Sequence, residues 1–372
     1  MMRVAYIIGG LPFGGVEKWL YDLSLEYMRN GLVHGRVFNL SGAGELLPKY
    51  RDAGIDVECI LNGNLRGLSI HRLDTTLRLR ERLKAFAPDL IHTMHFAADH
   101  HGRLAALGLG LPVVTHVRNI KHERRLARRI ANKLLSFATS RYLAVSGAVA
   151  EVVQSDHNMA KRPVQVLYNA INPDRLDGWE PVDFKAAFGL EGPVALAVSR
   201  YVSQKNLHLL VQAVRILLDR GRGLSLVLVG EGPERGRLEK LRDDLGLQRH
   251  VALTGFRQDV PAFLKAAYIF VMPSDFEGLP VAHLEAMHCG LPAVVSPYVP
   301  SLEIARDAAL VCRLDAEDIA DKLASLLEDR DLYARLSAAA RQAAAPLRMA
   351  NYAKNLHGVY EETLGDIAPQ KQ

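Results

Sequence analysis

The sequence predicts an α/β chain built from two parallel sheets, each covered by helices on both faces, and three observations carry that expectation. Short apolar runs of strand length alternate with helical patterns from the first residues onward, as in parallel sheets buried on both sides. The series occurs twice, separated by a polar, turn-rich stretch at residues 169–193 that reads as a linker. The chain has 372 residues, 49% hydrophobic and 23% charged, which is globular and long enough for two domains of ordinary size.

In the first series, strands are expected at residues 4–8, 37–40, 90–93, 112–117 and 142–145, with a helix through 16–28. In the second they are expected at 194–198, 224–229, 251–253, 269–272, 293–295 and 309–311. Residues 336–345 read as an alanine-rich helix, 348–360 as the last helix, and 367–372 as a frayed tail.

Cys59, Cys289 and Cys312 are few, odd in number and far apart, which argues against a disulfide framework or a cysteine zinc site and favours a reducing, cytosolic compartment. The start, with five apolar residues after Arg3, is too short for a secretion signal, and no apolar run approaches a membrane span. Charge is uneven. Residues 1–172 hold 23 Lys and Arg against 14 Asp and Glu, whereas residues 173–372 hold 23 against 27. Much of the excess lies in 118–133, which reads as an amphipathic helix with Lys121, Arg124, Arg125, Arg128, Arg129 and Lys133 off its apolar face. A solvated face and one resting on anionic lipid both fit. Nucleic acid is disfavoured, since no binding motif and few aromatics accompany the patch.

The most specific stretch is Asp275-Phe-Glu-Gly-Leu-Pro-Val-Ala-His-Leu-Glu285. An apolar strand precedes it, and a helix with proline in its first turn is expected to follow. Glu277 then lies in the loop and Glu285 in the helix, whose first amides suit a diphosphate. Eight helical positions would span about 12 Å at ~1.5 Å each, more than the ~5–9.5 Å between paired carboxylates in glycoside hydrolysis. The spacing instead suits the two ends of one long ligand, a sugar at one carboxylate and a ribose diol at the other.

Other constellations join it. Gly9-Gly-Leu-Pro-Phe-Gly-Gly15 links the first strand to the first helix but is not the dinucleotide fingerprint G-x-G-x-x-G. Arg200 and Lys205 follow the first strand of the second series, a forked and a mobile cation that can neutralise a diphosphate without metal. Gly230-Glu-Gly-Pro-Glu-Arg-Gly236 also turns a strand into a helix, and Phe256-Arg257 follows a further strand. His92-Thr-Met-His95 raises a metal site, disfavoured without supporting Cys or acidic residues. Asp329-Arg-Asp331 has the letters of a metal-holding D-x-D but reads as a turn with a helix cap.

Together these stretches resemble the retaining glycosyltransferases of family 4, with the GT-B fold, and the likeness covers nearly the whole chain. The segment from Glu277 to Glu285 matches that family's E-x7-E motif, and Gly14-Gly15-Val-Glu17, Tyr168-Asn-Ala-Ile-Asn-Pro-Asp174 and Gln204-Lys205-Asn206 match in the same order. The resemblance implies two Rossmann-like domains with their sheets facing across a cleft: an acceptor domain at 1–170, rejoined by a helix at about 348–372, and a donor domain at 171–347. It implies sugar transfer from a nucleoside-diphosphate sugar, a UDP-sugar above others, to a saccharide or lipid-linked saccharide in bacterial surface polysaccharide or lipopolysaccharide assembly. A hexosyl donor, retention, no metal or other cofactor, and a cytoplasmic, peripherally membrane-associated enzyme go with it.

By the same resemblance, Glu277 holds the sugar and Glu285 the ribose, while Arg200 and Lys205 hold the diphosphate. Gly14, Gly15, Gly230, Phe256, Arg257, Gly278, Leu279, Pro280 and Val281 border the donor, and His92 or His95 the acceptor. Arg118 stands where many relatives have histidine near the reacting centre. His116, two residues earlier on the same strand face, is either a core histidine or a partner in that role. A nucleotide-sugar epimerase or phosphorylase of the same fold, an NAD-dependent oxidoreductase and a nucleotide-sugar-sensing protein remain alternatives.

Overall fold

The run Val-Ala-Leu-Ala-Val at Val194–Val198 is apolar at every position, so it suits a central parallel strand with helices on both sides and would leave an exposed strand unstable. The computed structural model, which describes residues 1–63, 72–118 and 126–366, places it there.

Contacts divide the chain into two units: Met1–Ala170 with the chain from Met349 on, and Ile171–Arg348. In the first unit, β1 (Met2–Ile8), β2 (Val33–Asn39), β3 (Val57–Cys59), β4 (Leu90–Met94), β5 (Val113–Val117), β6 (Arg141–Ala144) and β7 (Val164–Val166) lie in the order β3-β2-β1-β4-β5-β6-β7. All neighbours are parallel. Side chains alternate across β1: Val4, Tyr6 and Ile8 pack beneath the helix Gly15–Asn30 and the last helix, Met349–Gly365. Ala5 and Ile7 pack on the opposite face with Leu79, Leu83 and Ala98. The last helix belongs to this core through Tyr352, Leu356 and Tyr360.

The second unit repeats the plan with β8 (Val194–Val198), β9 (Ser225–Val229), β10 (Val251–Leu253), β11 (Ile269–Met272), β12 (Ala293–Val295) and β13 (Ala309–Val311), ordered β10-β9-β8-β11-β12-β13 and again parallel. Leu210, Val214 and Leu323 cover one face, and Phe263, Ala286 and Leu291 the other.

Four expectations need correction. The strands β3 and β7 escape the pattern because Val-Glu-Cys and Val-Gln-Val are three-residue edge strands, only partly buried. Residues 169–193 are more than a linker: they form short helices at Pro173–Asp177 and Phe184–Phe188, and Leu176, Phe184 and Leu190 are buried. Pro280 is the N-cap of the helix Val281–His288 and lies outside its first turn, so helical rise governs only the last part of the Glu277–Glu285 interval. Finally, the helix expected at 118–133 is described only over Leu126–Leu135, and Arg118, which follows the end of β5, lies outside it. Lys121, Arg124 and Arg125 lie outside the described residues.

Candidate active site

In open parallel sheets, ligands bind at the carboxyl ends of the strands where the strand order reverses direction. Each sheet here has one such point: between β1 and β4 in the first unit, and between β8 and β11 in the second. The stretch at 9–15, His95, the segment at 200–206 and the turn at 275–280 fall on the loops that leave these four strands, while Arg118, the motif at 168–174, Gly230 and Phe256-Arg257 follow β5, β7, β9 and β10.

In the second unit, the loop after β8 makes a 3-10 turn at Ser203–Lys205, followed by Asn206 in the left-handed region at φ 50. Asparagine tolerates that conformation better than most residues. The turn is fastened to the loop after β11. The Asp275 amide donates to the Gln204 carbonyl (2.9 Å), and Gln204 Nε2 donates to the Phe276 carbonyl (2.6 Å). Asn206 Nδ2 donates to both the Pro273 carbonyl (3.1 Å) and Asp275 Oδ1 (2.7 Å). These bonds bring Lys205 to Glu277, whose Oε1 accepts from Nζ in a largely buried ion pair. Two residues 72 positions apart thus form one charge-neutral unit at the switch point. Arg200, at the end of β8, is exposed, and its guanidinium makes no hydrogen bond or ion pair among the described residues.

The helix Val281–His288 begins just beyond Glu277, with no side chain capping its first turn. Its first amides therefore keep donor capacity and partial positive charge. Gly278 and Leu279 lead into it, Leu279 buried. Glu285, on this helix and nearly buried, accepts from Arg175 NH2 at 2.6 Å. Gly230 closes β9 at φ 142, and a Cβ there would collide with the Ser199 carbonyl, so the loops after β8 and β9 approach as closely as only glycine allows. Phe256 is exposed, whereas Arg257 is already forked onto Asp259 (2.8 and 2.6 Å). The expected contact of Arg257 with a base therefore competes with an existing ion pair.

In the first unit, Gly14 is the N-cap of the helix Gly15–Asn30, and a Cβ on it would strike the Glu17 carboxylate, which folds back over the helix start. Nothing crowds Gly15. Glu17 is buried, and that burial raises its pKa. Its Oε1 lies 3.8 Å from His95 Nδ1, at the end of β4. His95 takes φ 75 and ψ 152, a region that costs a non-glycine residue about 1–3 kcal/mol, the kind of strain that collects at functional sites. Burial and the neighbouring Arg118 lower its pKa to about 4, so the ring is neutral at pH 7.

Arg118 lies over the Trp19 ring, 4.2 Å from its centroid, and donates to Asn169 Oδ1. Burial lowers its pKa only to about 10, which leaves it a cation. His116 Nε2 is 3.5 Å from Arg118 NH1, as strand alternation predicted, but His116 is buried, with its pKa well below the usual value through burial and that cation.

His92 corrects the expectation that it borders an acceptor. It is fully buried, 2.6 Å from the Tyr360 hydroxyl and 3.2 Å from His116, with its pKa lowered to about 3 by burial and by Arg118. It serves the core. His95, with side-chain exposure of 37%, is the ring that reaches the surface.

The basic helix also differs from its pattern. Asn132 points inward to Arg103 (2.8 Å), while Ile130, Leu134 and Phe137 are exposed. Among the described residues, no group of three or more His, Cys, Asp or Glu is placed to hold a metal ion, and no helix is long and apolar enough to cross a membrane. Asp329 caps the helix Arg330–Ala344 through the Leu332 amide, as its D-x-D setting led us to expect.

Trp19, Asn169, Tyr352 and Arg175 complete these surroundings and were missed as site residues. Only their place in the fold identifies them, although Asn169 and Arg175 lie within or beside the Tyr168–Asp174 motif.

A family profile described as Glycosyltransferase Family 4 matches residues 13–175, and one described as Glycosyl transferases group 1 matches residues 180–343. An alpha-D-kanosaminyltransferase of Streptomyces kanamyceticus is 27% identical over 316 residues, 77% of this chain and 80% of that one. A UDP-Gal:alpha-D-GlcNAc-diphosphoundecaprenol alpha-1,3-galactosyltransferase of Escherichia coli is 28% identical over 244 residues, 61% of this chain and 62% of that one. Two further relatives, 32% and 35% identical, are matched over only 46% and 39% of their length. The fold is that of an Anabaena protein crystallised with UDP and glucose, with a TM-score of 0.81 at 19% identity over 97% of this chain and 100% of that one.

Proposed function

The chain belongs to the group 1 glycosyltransferases, family 4, and from that premise we propose that it transfers a hexose from a UDP-sugar to a hydroxyl of a saccharide or lipid-linked saccharide, with retention and without a metal. The observation that carries this reading is the Lys205–Glu277 pair at the β8/β11 switch point, with Arg200 and an uncapped helix start beside it. A site for a neutral ligand has no use for that cluster of cationic and amide donors. A diphosphate has.

In the proposed reaction, Lys205, Arg200 and the first amides of Val281–His288 take the diphosphate oxygens, while Glu277 accepts from sugar hydroxyls and Glu285 from the ribose diol. Gly230, Phe256, Arg257 and the turn from Gly278 to Val281 border the nucleotide. The bond from the anomeric carbon to the phosphate oxygen breaks as the acceptor oxygen bonds that carbon on the same face. The acceptor proton passes to the departing phosphate oxygen, so no carboxylate has to act as nucleophile. In the first unit, Gly15 leaves room at a helix start, the Glu17 carboxylate closes the space beside Gly14, and His95 is placed for an acceptor hydroxyl. Arg118 is a fixed cation for an anionic group. A UDP donor and a lipid-linked acceptor are favoured by the substrates named for the Escherichia coli relative, and UDP also by the Anabaena complex.

A lipid-linked acceptor goes with residence at the cytoplasmic face of a bacterial membrane. Ile130, Leu134 and Phe137 form an exposed ridge beside Lys133, and Arg162 NH2 donates to the Phe137 carbonyl (3.3 Å). That pattern suits shallow insertion among anionic headgroups. The protein should co-sediment with anionic vesicles, and Ile130→Asp with Leu134→Asp should reduce that binding about 10-fold or more through lost apolar burial. Equal binding by variant and wild type would remove this part of the reading.

The function itself is tested by incubating the protein with a panel of nucleotide sugars and following sugar loss by mass. Slow hydrolysis or transfer from a UDP-sugar is expected. Turnover only with inorganic phosphate, or epimerisation without release, would assign a different reaction.

A further inference from the structure

Three unusual features of the first unit meet at one contact. Gly14 leaves the space that the Glu17 carboxylate fills, Glu17 is buried although charged side chains seldom are, and His95 holds a backbone conformation that is costly for any residue but glycine. The Glu17 amide donates to its own carboxylate, and Tyr50 Oη donates to the Glu17 carbonyl, so the residue is tied at both ends. Within the carboxylate, Oε2 lies over Gly14, while Oε1 faces His95 Nδ1 at 3.8 Å. That is longer than a hydrogen bond, as contacts of catalytic groups often are until substrate tightens them.

A neutral imidazole carries its proton on one nitrogen and a lone pair on the other. A carboxylate oxygen beside Nδ1 favours the proton there, because that N–H then has an acceptor, and the lone pair is left on Nε2. His95 stands at the carboxyl end of β4, beside the switch point of its sheet, with its side chain partly exposed and no hydrogen bond to its ring among the described residues. Burial and Arg118 both lower the His95 pKa, which keeps the ring neutral. Burial raises the Glu17 pKa, and its own amide and Arg118 oppose that rise.

We propose that Glu17 is a positioning residue for His95: it holds the proton on Nδ1, so that Nε2 accepts from an O–H of the acceptor and aims the reacting oxygen. The O–H bound by Nε2 is not the one that reacts. It is a neighbouring hydroxyl of a saccharide, or the second O–H of a water molecule, and the reacting O–H still gives its proton to the departing phosphate oxygen. The inference rests on the reaction proposed above and deepens it. Glu17 touches no substrate, and no proton passes between Glu17 and His95.

Histidine labelled for nitrogen NMR reads the tautomer directly, with His95→Gln identifying the His95 signals. At pH 7 wild type should carry the proton on Nδ1. Glu17→Met should shift it towards Nε2, and Glu17→Gln, whose amide oxygen can also accept, should recover part of the wild-type state. Gly14→Ala is a second route to the same end: its methyl meets only the mobile tip of Glu17, so it displaces the carboxylate while the fold is kept, and it should shift the tautomer as Glu17→Met does. Hydrolysis of UDP-glucose, UDP-galactose and UDP-N-acetylglucosamine gives the functional arm. Glu17→Met should lower kcat about 10-fold with UDP affinity unchanged, and Glu17→Met with His95→Gln should be no slower than His95→Gln alone, because the two act as a unit. A wild-type ring protonated on Nε2, a tautomer indifferent to Glu17→Met, or additive losses in the double variant would overturn the inference and leave Glu17 a residue of the helix start. Should wild type consume none of these nucleotide sugars, the donor reading fails and this inference fails with it. Should it consume one while Glu17→Met moves neither tautomer nor rate, only this inference fails.

Discussion

The two switch points solve the problem of holding charge in opposite ways. In the second unit, Lys205 and Glu277 neutralise each other within loops fixed by backbone hydrogen bonds, so each keeps a partner that a ligand can replace. In the first unit, Arg118 is held over the Trp19 ring, bonded to Asn169 with neutral histidines beside it, and its charge persists, favoured by the Glu17 carboxylate. A paired site is ready to exchange partners, whereas an aromatic-held cation presents a constant field.

The largest effect that sharpens this contrast should come from the ion pair. Glu277→Gln and Lys205→Met should each cut turnover by at least about 100-fold, as loss of a charge-stabilising group does. The double variant should be little worse than either single one, because the two act as a unit. Near-native turnover in either single variant would break the assignment. Arg118→Lys comes next. It keeps the charge and loses the planar stack on Trp19, so turnover should fall about 10-fold with little change in thermal midpoint. An unchanged rate would reduce Arg118 to a packing residue.

A smaller effect concerns pH. Burial holds His92 near 3, His95 near 4 and His116 well below its usual value, so unfolding releases rings that take up protons below about pH 6.5. Their contribution is complete above that pH and is lost as pH falls toward their folded values. Asp99, raised to about 6 by burial, and Glu17 act in the opposite sense, stabilising at low pH and losing that effect as pH rises through their folded values. Three histidines outweigh two carboxylates. In the second unit, burial lowers His283 to about 4 and also lowers the partly exposed His208. Hydrogen exchange, corrected for its intrinsic pH dependence, should therefore show the first unit opening more often as pH falls from about 6.5 to 4.5, and an unchanged opening free energy would contradict these environments.

Most of the fold was legible because its strands are apolar throughout: the central strands at 194–198, 269–272 and 293–295 were placed at their observed bounds, and so were the edge strands at 251–253 and 309–311, Val-Ala-Leu and Ala-Leu-Val. The edge strands β3 and β7 were not, since Glu58 and Gln165 interrupt their three-residue runs and leave no apolar stretch to read. In the site, Lys205 and Glu277 were found from motif and spacing, but their pairing depends on Gln204 and Asn206 bridging 67 to 72 positions, which no local pattern contains. His92 misled because alternation along β4 gives a side chain's face and says nothing of what covers it. Here Tyr360, from the far end of the chain, covers it. The basic helix misled for a related reason: Asn132 turns inward, recruited by the buried Arg103, while Ile130 and Leu134 face solvent.

The central claim is that a nucleoside diphosphate is held at the β8/β11 loops, and a crystal soaked with UDP tests it most directly. Diphosphate oxygens about 2.7–3.0 Å from Lys205 Nζ, with a second contact from Arg200 or the amides at Val281–Ala282, are the predicted result. UDP bound elsewhere, with Lys205 and Arg200 untouched, would contradict the account.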